Sequence, residues 1–177
     1  NKTVKKTKAF TMTDEQSDAV KALTGSMDRG EFNEFLLYGV TGSGKTEVFM
    51  QSIEHAVKMG KTALVLVPEI SLTPQMVSRF MSRFGERIAV LHSKLSLGER
   101  YDQWRRIRSG GADIVIGARS AVFAPLDNIG IIVVDEEHSE TYKSEMSPRY
   151  SAKEVASFRG RQYGAAVVFA SATPSME

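Results

Sequence analysis

The chain has 177 residues, 42% of them hydrophobic, and a formal net charge of +2, a length that suits one packed core better than two. It contains no cysteine, which excludes a disulfide framework and any cysteine-ligated zinc or iron–sulfur site. No apolar run approaches the roughly 20 residues that cross a bilayer, and Asn1 to Lys6 lack the apolar stretch of a signal peptide, so a soluble, cytoplasmic chain is expected.

In chain order, residues 1–10 read as a flexible arm and residues 11–177 as one domain. Hydrophobic periodicity predicts helices over Asp14 to Met27, Lys45 to Met59, Leu72 to Phe84, Leu97 to Ser109 and Ala152 to Arg161, several opened by Ser, Thr or Asp caps. Between them, short β-branched runs predict strands at Phe35 to Tyr38, Thr62 to Val67, Ile88 to Leu91, Asp113 to Gly117, Ile131 to Val134 and Ala165 to Phe169. Their near-continuous apolar character is that of parallel strands covered on both faces. Alternation of strand and helix implies a doubly wound, mostly parallel α/β sheet with helices on both faces. Ligands of such sheets bind beyond the carboxyl ends of the strands. The +2 charge is too slight to argue for a polyanionic partner. The basic clusters at Lys5, Lys6 and Lys8, at Arg100, Arg105, Arg106 and Arg108, and at Arg159 and Arg161 read first as solvated tail or helix face.

After the first predicted strand stands Gly39-Val40-Thr41-Gly42-Ser43-Gly44-Lys45-Thr46, a complete G-x-x-x-x-G-K-[ST] loop between strand and helix. Gly39, Gly42 and Gly44 let the backbone wrap closely, so that N–H groups of the loop, including Thr41 and Ser43, face phosphate oxygens. Lys45 reaches the terminal phosphates and Thr46 can ligate Mg²⁺. The strand Ile131 to Val134 ends in Asp135-Glu136-Glu137-His138. Adjacent acids there suit one carboxylate on the Mg²⁺ shell, Asp135, and another beside the attacking water, Glu136 as general base. Alone, such acids would cap a following helix; an upstream phosphate loop favours the catalytic role.

Asp135-Glu136-Glu137-His138 resembles the D-E-x-H box of superfamily 2 helicases, and Ser171-Ala172-Thr173 resembles their S-A-T motif, in the same order along the chain. The resemblance sharpens to the primosomal protein N′ (PriA) family of bacterial replication-restart helicases. That family's motifs have counterparts at Gly39 to Glu47, Pro68 to Gln75 (Pro-Glu-Ile-Ser-Leu-Thr-Pro-Gln), Arg119 to Pro125 (Arg-Ser-Ala-Val-Phe-Ala-Pro) and Asp135 to His138. Similarity runs from about Thr13 to the C-terminus. Lys94 and Ala118 stand where the family often has Gly and Thr.

The resemblance implies a RecA-like first motor lobe that binds ATP and Mg²⁺. Gln16 matches the glutamine that reads adenine, although a glutamine in a first helical turn also serves as a cap. His138 would link the nucleotide site to Ser171 and Thr173. Ser93, Arg119 and Ser120 fall in segments like the family's strand-facing loops, where phosphates are held without reading bases; strand-end turns are the plainer alternative. Tyr142, Lys143, Arg149 and Tyr150 lie in a stretch like the family's aromatic-rich loop, with an ordinary surface loop as the alternative. The implied activity is 3′ to 5′ translocation and unwinding at stalled forks for replication restart. Implied partners are single-stranded and forked DNA, other primosome proteins, single-stranded-DNA-binding protein, and the remaining helicase lobe and DNA-binding domain of the same protein. The chain is expected to be a fragment, nearly inactive without a second lobe. A double-stranded DNA translocase lobe and a nucleotide-binding regulatory module remain alternatives.

Overall fold

Aliphatic runs too short for helices, bounded by capped helical segments, pack as a single six-stranded sheet in the computed structural model, which describes residues 13–38, 43–135 and 151–171. In chain order the elements are α1 (Asp14–Arg29), β1 (Asn33–Leu37), α2 (Ser43–Lys58), β2 (Thr62–Leu66), α3 (Pro74–Phe84), β3 (Ile88–Leu91), α4 (Leu97–Arg108), β4 (Ile114–Gly117), β5 (Ile129–Asp135), α5 (Ala152–Tyr163) and β6 (Ala166–Ala170). Short 3₁₀ turns at Glu69–Ser71 and Arg119–Phe123 follow β2 and β4. The strand order is β1-β6-β5-β2-β4-β3, and all five pairings are parallel.

Helix starts obey local chemistry. Thr13 accepts from the Gln16 backbone N–H while the Gln16 side chain accepts from Thr13 N at 3.0 Å, a reciprocal cap. Ser96 and Glu99 repeat that arrangement at α4. Thr73 caps α3, with Pro74 in the first helical position, where its missing N–H costs nothing. Gly164 ends α5 in the left-handed region (φ 65°), and a Cβ there would lie 2.5 Å from the Gly30 carbonyl oxygen, so only glycine fits.

Alternation along the strands divides the core into two layers. Leu64, Leu66, Ile132 and Val134 face α4 and α5, with Ile107, Ala152 and Ala156. Ala63, Val65, Ile131 and Val133 face α1, α2 and α3, with Leu23, Met27, Ile53 and Phe80. Helices on both faces require central strands apolar on both sides, and β5 is buried along Ile129 to Val134. Strand β1 departs from that expectation. It lies at the sheet edge, its burial alternates, and Leu36 is 59% exposed.

Two basic clusters expected to be solvated are partly structural. Arg159 donates from Nη1 to the carbonyls of Val122 and Ala124, each at 2.8 Å, and from Nη2 to that of Leu126 at 3.1 Å. Arg106 donates to the carbonyls of Ile88 and Glu86, and Arg161 lies 4.8 Å from the centroid of Phe32. A guanidinium's five donors can satisfy backbone carbonyls left over at strand ends and turns, which is why charge on a helix did not mean full exposure for Arg106 and Arg159. Residues 1–10, read as a flexible arm, lie outside the described residues.

Candidate functional site

Strand β6 runs between β1 and β5, so the ends of three adjacent strands converge on one spot. Helix α2 begins there, directly after the glycine-rich loop, with no acidic residue in its first turn. Its N-terminal N–H groups therefore present uncompensated positive charge to an anion. Lys45 Nζ lies 2.9 Å from Asp135 Oδ1, with side chains only 9% and 19% exposed. Across that gap Ala170 pairs with both Leu37 and Asp135, and the next residue, Ser171, donates its N–H to the Leu37 carbonyl at 3.0 Å. Ser171 is buried there.

Thr46 and Asp135 share the lining of a cavity of about 270 Å³ with Val67, Thr73, Gln75, Met76 and Arg79 among others. A hydroxyl and a carboxylate beside a buried ammonium fit the hard-oxygen chemistry of Mg²⁺ carried in by phosphates, which the ion prefers to an all-protein cage. No group of three or more His, Cys, Asp or Glu side chains able to hold a metal ion occurs among the described residues.

The structure thus brings together Gly44, Lys45, Thr46, Asp135 and Ser171. Gly39, Thr41, Gly42, Glu136, His138, Tyr142, Lys143, Arg149, Tyr150 and Thr173 lie outside the described residues, as does the side chain of Ser43. Gln16 is half-buried at the start of α1, its amide used in the cap described above. Ser93, Arg119 and Ser120 follow the carboxyl ends of neighbouring strands β3 and β4, beside the turn after β2. Ser93 is not idle there: its N–H and hydroxyl both donate to Glu69 Oε2, at 3.3 and 3.1 Å.

Sequence reasoning passed over three groups that build this site. Glu47, next to Thr46 and 3% exposed, accepts from Arg83 of α3 through both oxygens at 3.2 and 3.1 Å, and from Gln51 at 2.8 Å. That pair joins the phosphate-loop helix to the helix that begins at Thr73 and Pro74. Glu69 occupies the Ser93 donors, and Arg159 clamps the Arg119–Phe123 turn through its carbonyls. Only Glu47 carried a signal, an acid on the helix face that buries Val48 and Met50; its partner stands 36 residues away.

Residues 13–177 match the family model described as DEAD/DEAH box helicase. The replication restart protein PriA of Bacillus subtilis is 54% identical over all 177 residues, which span 22% of that protein, and PriA of Chlamydia trachomatis is 48% identical over 168 residues, 94% of this chain and again 22% of the relative. The chain therefore spans about a fifth of the length of these curated relatives. Among solved structures, RecG bound to a three-way DNA junction superposes with a TM-score of 0.72 at 24% identity, covering 93% of this chain and 21% of that one. The Pyrococcus furiosus Hef helicase domain gives 0.57 at 20% identity, covering 89% and 33%. These two likenesses concern the fold, which is the doubly wound α/β sheet expected from the strand pattern and the RecA-like arrangement that the resemblance implied. With Lys45 at the start of α2 meeting Asp135 at the end of β5, the chain belongs to the DEAD/DEAH box helicase family, and within it matches the helicase motor lobe of PriA.

Proposed function

We propose that this chain is the ATP-binding motor lobe of a DNA helicase that couples ATP hydrolysis to 3′ to 5′ movement along single-stranded DNA at stalled forks, in the bacterial cytoplasm, for replication restart and primosome assembly. The observation that carries this is the contact of Lys45 with Asp135 at 2.9 Å, in a chain 54% identical to a replication restart protein. Lys45 meets the terminal phosphates, and the Thr46 hydroxyl and Asp135 carboxylate hold Mg²⁺. Loop N–H groups of Gly39 to Gly44 cradle the phosphates, and Gln16 turns from its cap to adenine. When bound, Mg²⁺ neutralises charge on the phosphates and orients them for in-line attack. Glu136 takes the proton of the attacking water. Burial of Lys45 and Asp135 keeps bulk water from screening these charges.

His138, Ser171 and Thr173 relay the state of the nucleotide to the strand-facing loops. Ser171 is suited to this because its backbone is tied to β1 while β6 carries it beside Asp135. Ser93, Arg119 and Ser120, with Tyr142, Lys143, Arg149 and Tyr150, hold the strand by phosphate contacts and stacking, without base readout. A phosphate oxygen arriving at Ser93 replaces the Glu69 carboxylate on the same N–H and hydroxyl. Forked DNA, other primosome proteins, single-stranded-DNA-binding protein, a second helicase lobe and a DNA-binding domain complete the proposed assembly.

The test is ATP hydrolysis by the complete protein that carries this lobe, with and without single-stranded DNA, comparing wild type with Lys45→Ala and Glu136→Gln. Stimulation by DNA that both substitutions abolish is the expected result. Turnover indifferent to DNA would refute the helicase motor and leave a nucleotide-binding module.

A further inference from the structure

Helix α4 carries Leu97, Tyr101, Trp104 and Arg108 at intervals of three and four residues, the spacing that lines side chains along one face. Such a face is ordinarily turned inward. Here its first two members stand in solvent, Leu97 at 86% and Tyr101 at 63% exposed, while Trp104 packs partly against the core. The face walls a cavity of about 380 Å³ whose opposite side is formed by Leu91 and His92 at the end of β3 and by Ser120 after β4.

Charge completes the surface. Arg100, Arg105 and Arg108 line the cavity, and among the described residues no acidic side chain does. The nearby Glu99 is turned to the helix cap, accepting from Ser96 N at 2.8 Å. The Arg105 guanidinium lies 5.6 Å from the centroid of the Tyr101 ring, a cation–π contact that orders two otherwise mobile side chains beside the cavity. Three guanidinium groups select for phosphate or carboxylate, and the aromatic surface between them selects for a flat ring. An acidic peptide with an aromatic side chain would meet both demands. Nucleic acid is favoured because His92 and Ser120 belong to the same strand-end segments that hold the single strand in the function proposed above, so the cavity opens directly onto that path.

Resting on that strand path, we infer that the groove along α4 binds nucleotides of single-stranded DNA beyond those held at the strand ends. Arg100, Arg105 and Arg108 meet the phosphates, and Tyr101 and Trp104 stack a base. The groove lengthens the footprint of the lobe past the edge strand β3 and adds affinity without sequence preference.

The experiment is fluorescence anisotropy with labelled oligo(dT) of about 6 and about 20 nucleotides, the short probe covering only the strand-end loops. It uses the complete protein and the variants Tyr101→Ala, Tyr101→Phe and the triple Arg100→Gln/Arg105→Gln/Arg108→Gln. Because these side chains are exposed, melting temperatures should match wild type. Tyr101→Ala is expected to weaken the long probe by about fivefold or more, while Tyr101→Phe keeps it. The triple variant should lower the salt dependence on the long probe by about two units of log–log slope, at about 0.7 per phosphate contact. The short probe should be unaffected. If Arg119→Ala and Ser93→Ala weaken both probes but the α4 variants weaken neither, the groove assignment fails and the strand-end path stands. If neither set weakens either probe, the strand path itself is wrong. Loss of binding to a glutamate-rich peptide ending in phenylalanine, with DNA binding intact, would overturn the groove assignment in favour of a protein partner.

Discussion

Replacing Arg83 by Met removes the guanidinium that both carboxylate oxygens of Glu47 accept from, while keeping an apolar stem of similar reach. The Glu47 side chain is 4% exposed and the Arg83 side chain 12%, so water cannot substitute for the lost donors. Breaking one side of a buried pair costs about 3–5 kcal/mol. Gln51, at 2.8 Å from Glu47 Oε2, retains one donor, which places the expected loss near the lower end, about 3 kcal/mol. At about 2–4 °C per kcal/mol for a chain of this size, the melting temperature should drop by about 6–12 °C. Urea unfolding followed by far-ultraviolet circular dichroism and by the fluorescence of Trp104, the only tryptophan, measures the loss. Glu47→Gln should cost less, because an amide can still be hydrogen-bonded. The double variant Glu47→Gln/Arg83→Met should cost at least about 1 kcal/mol less than the sum of the two singles, since it leaves no buried charge unpaired; Glu54, which Arg83 also meets at 3.6 Å, is 44% exposed. An Arg83→Met loss below about 1 kcal/mol, or two losses that simply add, would refute the idea that this pair ties α2 to α3.

Two further outcomes concern the turn after β4. Arg159→Ala leaves the carbonyls of Val122, Ala124 and Leu126 without their shared donor; a loss of about 2 kcal/mol and faster amide exchange over residues 119–126 are expected, and unchanged exchange there would show that the clamp is dispensable. Gly117→Ala would set a Cβ 2.5 Å from Ala121 Cβ and 2.7 Å from the Leu91 carbonyl oxygen. Backbone must shift to admit it, so about 1–3 kcal/mol should be lost together with affinity for single-stranded DNA in the complete protein, whereas full retention of both would mean that the turn repacks freely.

The elements themselves were legible because each follows from local rules. Ile88 to Leu91 matched the observed strand to the residue, and the expected helix starts at Asp14, Leu97 and Ala152 are the observed ones, whereas α3 starts at Pro74, two residues after the expected Leu72, because Thr73 caps it. The pattern of the proposed phosphate loop is local for a similar reason: wrapping a backbone around phosphate demands glycines and a lysine at set spacing, so the pattern is written contiguously. Which strand lies beside which is a different kind of information. The chain visits β1, leaves for β2, β3 and β4, and returns to insert β5 and β6 between β1 and β2. Only that return sets Asp135 2.9 Å from Lys45, 90 positions earlier, and carries Ser171 to the shared end of β1 and β5.

Side-chain partners over long separations escaped for the same reason. Nothing in the chain order pairs Glu47 with Arg83, Glu69 with Ser93 or Arg159 with the carbonyls after β4, and arginines that look solvated on a helical wheel turn out to satisfy loop backbone. Strand β1 carries the converse lesson, since an apolar run reads alike at the centre or the edge of a sheet until its neighbours are known. By itself, then, the sequence determined the kinds of elements and their order, and it carried the glycine-rich loop pattern on which the proposed phosphate site rests, because these depend on contacts within a few residues. Tertiary structure alone decided which carboxylate meets the lysine, which loops the arginines hold and where an aromatic, basic groove stays open, because those depend on strand order and on distances no local pattern encodes.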